Sequence, residues 1–431
     1  MGIRSLVIFV AMGMWLGVGT GVVSAENAKV GVNYWPQDGN KVMQYLNEWP
    51  NARDVASRDL DAIKTAGFKI VRILFQVQHY GDAYMAWGDG ARKIFFQDQG
   101  SGPGKYDAGT PVGPPTAEQI SNLESYLDLV RSKGLDFEIV MPLQAEGQGG
   151  FYGHGETDDM YKRYLDVIFP VVKKYKPNRF YIMGDGVPGQ SEDHARWLKN
   201  LWPYILDNCP KDQCNLGIEV GGVGSNLWDP TIQNITWIKS NLNVWPLYLG
   251  VEFYPSTRTF LCQAGYINLS DCDNLKRMDN IVIDWTRLTN DYWAKIDEAV
   301  AGGFLIQIEE MGLISGNGDT RNSDGSVSFN QQDQADFLKV ALPILIPKVQ
   351  SINIWTFEDL VDNGSNDDFG LRRTDKTLKP GYMAMVEILN GRVRPTFAVW
   401  LNEYLTGSGR TADMNGDGRV DGIDCVMILR Q

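Results

Sequence analysis

From Lys29 onward, short apolar runs alternate with stretches whose apolar residues recur at helical spacing. Eight runs read as strands: residues 30–34, 69–75, 136–142, 179–183, 215–221, 247–254, 304–309 and 351–357. They are near-continuous rather than cleanly alternating, which is the pattern of parallel strands covered on both faces. Helical patterns lie between them, among others at 54–66, 117–133, 158–174, 193–207, 290–301 and 331–345. Thr116 stands where it can cap a helix, with Gln119 in the capping-box position, and Gly134 stands where that helix should stop. Eight strand–helix units in one chain predict an α/β fold, a closed (β/α)8 TIM barrel. A doubly wound open sheet is the other architecture with this alternation. It calls for a glycine-rich phosphate loop after the first strand, and Tyr34-Trp35-Pro36 stands there instead.

Both ends differ from this pattern. Residues 1–25 read as a secretory signal peptide: Arg4 supplies the positive charge, 5–23 are apolar, and Val23-Ser24-Ala25 offer a cleavage site before Glu26. An uncleaved membrane anchor is the alternative, because the stretch approaches the ~20 residues a span requires. Residues 405–410 read as a linker after a barrel unit at 26–404. Residues 405–431 then hold Asp413, Asn415, Asp417, Arg419 and Asp424 at relative positions one, three, five, seven and twelve of a loop, with Gly418 at six. Short oxygen-bearing side chains around a glycine turn are what Ca2+ requires. The loop resembles one repeat of a type I dockerin. That resemblance implies calcium as cofactor and a cohesin-like protein as a possible partner.

The chain has 431 residues, 43% apolar, 22% charged and 11% aromatic, which excludes a largely disordered polymer. Forty basic against 53 acidic residues give −13. That balance offers no footprint for nucleic acid and opposes docking on anionic membranes. Export permits disulfides, and four of the five cysteines form close pairs, Cys209 with Cys214 and Cys262 with Cys272. With no CxxC spacing and no histidine pair at ligand spacing, a catalytic metal is not expected. The long segments 76–115 and 312–329 follow the second and seventh strands, where a barrel builds its cleft.

The chemistry should sit at the C-terminal strand ends. Strand seven ends Glu309-Glu310-Met311-Gly312, and strict alternation sends only one of the two carboxylates to the cleft. Strand eight brings Trp355 to the same rim, and Arg72 is a cation inside an apolar strand, which requires a carboxylate partner.

Here the chain resembles the clan A glycoside hydrolases, retaining (β/α)8 enzymes that cut β-glycans, over most of residues 29–391. Gly31-Val32-Asn33-Tyr34 resembles their first strand, and Arg72 their strand-two arginine. Ile308-Glu309-Glu310-Met311-Gly312 resembles their strand-seven motif, which implies Glu310 as nucleophile. Trp355 matches the tryptophan beneath the reacting sugar. Phe369-Gly370-Leu371 and Leu378-Lys379-Pro380-Gly381-Tyr382 resemble their closing helix. Two strand ends depart from the pattern. Strand four reads Met183-Gly184-Asp185-Gly186 where the family has Asn-Glu, so the usual acid/base position holds Gly186 or, shifted by one, Asp185. Strand six reads Glu252-Phe253-Tyr254-Pro255, with Glu252 in place of His. The partner of Glu310 is therefore Asp185 first, Glu252 second, with Glu146 and Glu219 also in reach. Asn33, Trp35, Arg72, His79, Tyr254 and Trp355 are the candidate substrate-binding residues. The expected function is a secreted hydrolase of β-linked polysaccharide. The alternative is a catalytically inactive barrel that binds glycan or serves as a scaffold component.

Overall fold

The eight apolar runs form eight parallel strands: β1 (Lys29–Asn33), β2 (Ile70–Leu74), β3 (Asp136–Val140), β4 (Arg179–Tyr181), β5 (Leu216–Glu219), β6 (Tyr248–Phe253), β7 (Leu305–Met311) and β8 (Ser351–Ile354). Each pairs with its neighbour in chain order, and β8 pairs with β1. The sheet is therefore a closed barrel, which excludes the doubly wound alternative. The protein is seen as a computed structural model that describes residues 29–38, 41–42, 49–74, 115–141, 155–182, 192–221, 229–255, 258–272, 281–315, 329–359 and 368–390. The expected signal segment 1–25, most of the segments 76–115 and 312–329, and the calcium loop with its linker lie outside them.

A helix follows every strand: α1 (Trp49–Thr65), α2 (Ala117–Ser132), α3 (Gly155–Tyr175), α4 (Glu192–Asn208), α5 (Asp229–Asn241), α6 (Trp285–Val300), α7 (Gln331–Leu345) and α8 (Pro380–Leu389). Local chemistry sets several ends. Thr116 and Gln119 form the expected reciprocal capping box of α2. Gly134 follows that helix at φ +72°, a conformation glycine adopts without penalty. The apolar period alone starts α6 near 290, but the Asp284 side chain accepts from Arg287 N (2.9 Å) and moves the start to Trp285. Between β6 and α6, short helices at Arg258–Gln263 and Leu269–Cys272 are joined by the Cys262–Cys272 disulfide. The Cys209–Cys214 disulfide closes the turn between α4 and β5. Their Cα–Cα distances, 5.8 and 5.7 Å, are ordinary for the bond.

The apolar core lies between strands and helices. Val71, Ile73, Phe137, Ile139, Phe180, Ile218, Leu249, Val251, Ile306, Ile308 and Ile352 point outward into it. The alternate residues face the barrel axis, and there the strands are polar. Asn33, Arg72, Glu138, Glu219, Gln307, Ser351 and Asn353 are all fully buried. Polar groups survive there because they bond across the barrel. Asn353 on β8, for example, donates to Glu138 on β3 (2.7 Å).

At the rim, Lys379 at the start of α8 is buried. It donates to Asp359 (2.6 Å) just after β8 and to the Asp368 carbonyl (2.9 Å). Burial pushes the Asp359 carboxyl up to about 6 and the Lys379 amine down. Among the described residues, no helix is long and apolar enough to cross a membrane.

Candidate active site

Arg72 organises the mouth of the barrel. Register places it beside Asn33, and its Nη1 donates to Asn33 Oδ1 (2.6 Å). The same nitrogen donates to Glu310 Oε1 (2.7 Å), Nη2 donates to Glu219, and Nε lies 2.9 Å from Glu309 Oε2. One guanidinium thus faces three carboxyls from two strands. Burial alone would lower its proton affinity, but Glu219, Glu310 and Glu309 together raise it, so Arg72 stays charged.

Both strand-seven glutamates reach Arg72, against the expectation that alternation separates them. The cause is a β-bulge. Ile308 pairs with Val251, yet the next pair on that side is Glu310 with Glu252. On the other side, an advance of two positions along β8 (Ile352 to Ile354) matches an advance of three along β7 (Ile308 to Met311). The extra residue turns Glu309 and Glu310 to the same face. They sit at different depths, Glu309 fully buried and Glu310 7% exposed at the C-terminal end of β7.

Above Arg72, the Tyr254 hydroxyl donates to Glu310 Oε2 (2.6 Å), so both carboxylate oxygens are held. Glu219, Glu252 and Glu310 bring carboxyl oxygens within 4.8 Å of one another. Arg72 bonds two of the three, so the guanidinium already supplies the positive charge at this point. Gly221 makes room for Glu252: a Cβ there would lie 1.8 Å from Glu252 Oε1. Below Arg72, Glu309 accepts from the Tyr181 hydroxyl. Gln307, its amide oxygen turned to Arg179 Nε (2.6 Å), places its NH2 3.0 Å from Glu309. Burial, reinforced by Glu138, pushes the Glu309 carboxyl up to about 8 against the opposing pull of Arg72.

Several expected site residues are thus brought together: Arg72, Glu252, Tyr254, Glu310 and Trp355. Trp355 is partly exposed at the rim and meets Trp35 edge to face at 5.1 Å. Three expectations need correction. Asn33 and Arg72 are fully buried, so neither offers surface to a glycan. Asn33 instead donates to the Glu309 (3.2 Å) and Ile354 (3.3 Å) carbonyls while accepting from Arg72. Trp35 is 4% exposed and backs Trp355 rather than forming a platform of its own. Asp185, Glu146 and His79 lie outside the described residues. Sequence reading missed the contributions of Glu138, Tyr181 and Gln307. The available signal was a polar residue at the inward position of an apolar strand, the argument already applied to Arg72.

No family sequence model matches the chain, and neither does any curated protein. Solved structures do match. A GH5_18 protein from Streptomyces cattleya in complex with GlcNAc superposes with a TM-score of 0.55 at 13% identity, covering 85% of this chain and 80% of that one. A GH5_18 variant from Bifidobacterium longum subsp. longum, in complex with Manβ1-4GlcNAc, gives 0.54 at 12% identity, covering 84% and 78%. An exo-β-1,4-mannosidase from an Opitutaceae bacterium gives 0.50 at 15% identity, covering 86% and 61%. The chain has the closed (β/α)8 barrel fold found in these glycoside hydrolases.

Proposed function

We propose that this protein is a secreted glycoside hydrolase that cleaves a β-linked polysaccharide with Glu310 as nucleophile. The observation that carries the proposal is the setting of Glu310: a carboxylate at the C-terminal end of β7, fixed on one oxygen by Arg72 and on the other by Tyr254. A second carboxyl, Glu252, lies within 4.8 Å. That spacing is nearer the ~5–5.5 Å of retaining enzymes than the ~6.5–9.5 Å of inverting ones. Glu310 attacks the anomeric carbon, and Glu252 protonates the departing oxygen and then activates water. Asp185 competes for the acid role. Trp355 floors the reacting sugar, and His79 is a candidate contact. The two disulfides suit an oxidising compartment. Residues 413–424 are assigned to Ca2+, with a cohesin-like protein as a candidate partner.

The test is reducing-sugar release on cellulose, mannan, xylan, galactan and mixed-linkage glucan, run beside Glu310→Gln, Glu252→Gln and Asp185→Asn. The neighbours that bind Manβ1-4GlcNAc or are named mannosidase put β-mannosides on the panel first. Glu310→Gln should lose about 10³-fold or more, roughly 4 kcal/mol of barrier, and the wild type should release product with its anomeric configuration retained. Undiminished release by Glu310→Gln removes the assignment. No release at all, with measurable glycan binding, favours the inactive-barrel reading, which Gly186 at the family's acid/base position supports.

A further inference from the structure

The bulge leaves a second glutamate beneath Glu310 for which the proposed chemistry has no direct use. We propose that Glu309 is a positioning residue for Glu310: its neutral form leaves Arg72 to the nucleophile, and its ionisation draws Arg72 away. The inference rests on the proposed role of Glu310 and deepens it.

The argument begins with charge. Around the barrel axis the carboxyls of Glu138, Glu219, Glu252, Glu309 and Glu310 face two guanidiniums, Arg72 and Arg179, and all seven residues are buried. Arg72 alone meets three carboxyls. Among the described residues one guanidinium thus meets three buried carboxyls, and a proton on one of them relieves the excess of negative charge. Alignment with the cation picks Glu309: Glu219 and Glu310 each accept a hydrogen bond from Arg72, and Glu309 does not. Arg72 Nε and Glu309 Oε2 lie 2.9 Å apart without the alignment of a hydrogen bond, and among the described residues neither atom has another hydrogen-bond partner. Glu309 Oε1 is served by Tyr181. An ionised carboxylate with one oxygen unserved in a dry site is costly, and the neutral acid avoids that cost.

The pocket is also shaped for this side chain. At Gly250, a Cβ would lie 2.3 Å from Glu309 Cγ. The groups that face Glu309 are Arg72 from β2, Glu138 from β3, Arg179 and Tyr181 from β4, Gln307 and Glu310 from β7, and Glu219 from β5 across Arg72. The upward displacement of its carboxyl by burial and Glu138 agrees with the geometry.

When Glu309 ionises, Nε becomes a charge-assisted partner and Glu310 keeps a smaller share of the guanidinium. Glu310 then holds its glycosyl group more tightly and is expelled more slowly by water, so kcat falls.

Infrared difference spectra of the full-length wild type minus Glu309→Gln, taken from pH 5 to 10, test this. The expected result is the carbonyl band of a protonated buried carboxyl at pH 7. It should disappear with a midpoint near 8, while the guanidinium bands shift with the same midpoint. Tyr181→Phe removes a donor to the ionised form and should move the midpoint upward. Wild-type kcat should show an alkaline limb at that midpoint that Glu309→Gln lacks. Absence of the protonated band at pH 7, a guanidinium signal that does not follow it, or an identical alkaline limb in Glu309→Gln overturns the inference. An inactive wild type with the spectral transitions intact overturns the proposed function and leaves the coupling of Glu309 to Arg72 standing.

Discussion

Arg72 ties three other strands of the barrel together. It bonds Asn33 on β1, Glu219 on β5 and Glu310 on β7 from a fully buried position on β2. Arg72→Met would leave carboxyls from two strands without their cation. A loss of about 3–5 kcal/mol is expected, in line with breaking a buried ion pair, and denaturant titration should show it even where activity is not measured. Glu309 predicts a pH dependence of the opposite sense to an ordinary paired carboxylate. Its folded value of about 8 exceeds the ~4.3 of an unfolded glutamate. The folded state therefore holds more protons, and this contribution is complete below about pH 4 and is lost as pH rises through 8. Glu309→Gln should flatten that part of the stability curve. An unchanged slope would show that Glu309 is ionised in the fold.

At the scale of elements, the bulge in β7 decides which carboxyls meet. It needs empty space on the neighbouring strands, and glycines supply it. Gly250→Ala would place a Cβ 2.3 Å from Glu309 Cγ and 3.1 Å from a Tyr181 ring carbon. Overpacking of this kind costs about 1–3 kcal/mol, readable as a lower denaturation midpoint. Gly221→Ala acts on Glu252 instead, at 1.8 Å from its carboxyl. The atoms it meets are the far end of a flexible side chain, which can move aside. Activity should fall with little change in stability. A variant with full activity would count against Glu252 as the acid. The α8 connection rests on Lys379, and Lys379→Met strands Asp359, whose proton uptake near pH 6 should then shift further upward.

For the whole molecule, the sheet closes where β8 pairs with β1, and the disulfides add local constraint. The cysteines are 5 and 10 residues apart. Loops this short gain about 2–3 kcal/mol each in the chain-entropy account. Reduction should lower the melting temperature measurably without abolishing the barrel. A melting curve indifferent to reductant would mean that the unfolded loops are already restricted. The calcium assignment also belongs here. Ca2+ should protect residues 405–431 from proteolysis, and Asp413→Ala with Asp424→Ala should remove that protection.

Periodicity alone determined the number, order and parallel sense of the strands, because a strand covered on both faces must be apolar along much of its length whatever its partners. Capping chemistry at Thr116 and the cysteine spacing were equally local and equally legible. Arg72 announced itself as a cation in an apolar strand, and Glu310 through the motif around it. The shared face of Glu309 and Glu310 was not legible, because a bulge is a mismatch between two strands and is written in neither one alone. Nor was it legible that Arg72 takes Glu219 as well as Glu310 for partners, because the three lie far apart in the chain and meet only once the barrel closes. Charge sharing across that axis depends on distances of a few ångströms and on exclusion of water. Both are properties of the closed barrel, and they decide which of its carboxyls can do chemistry.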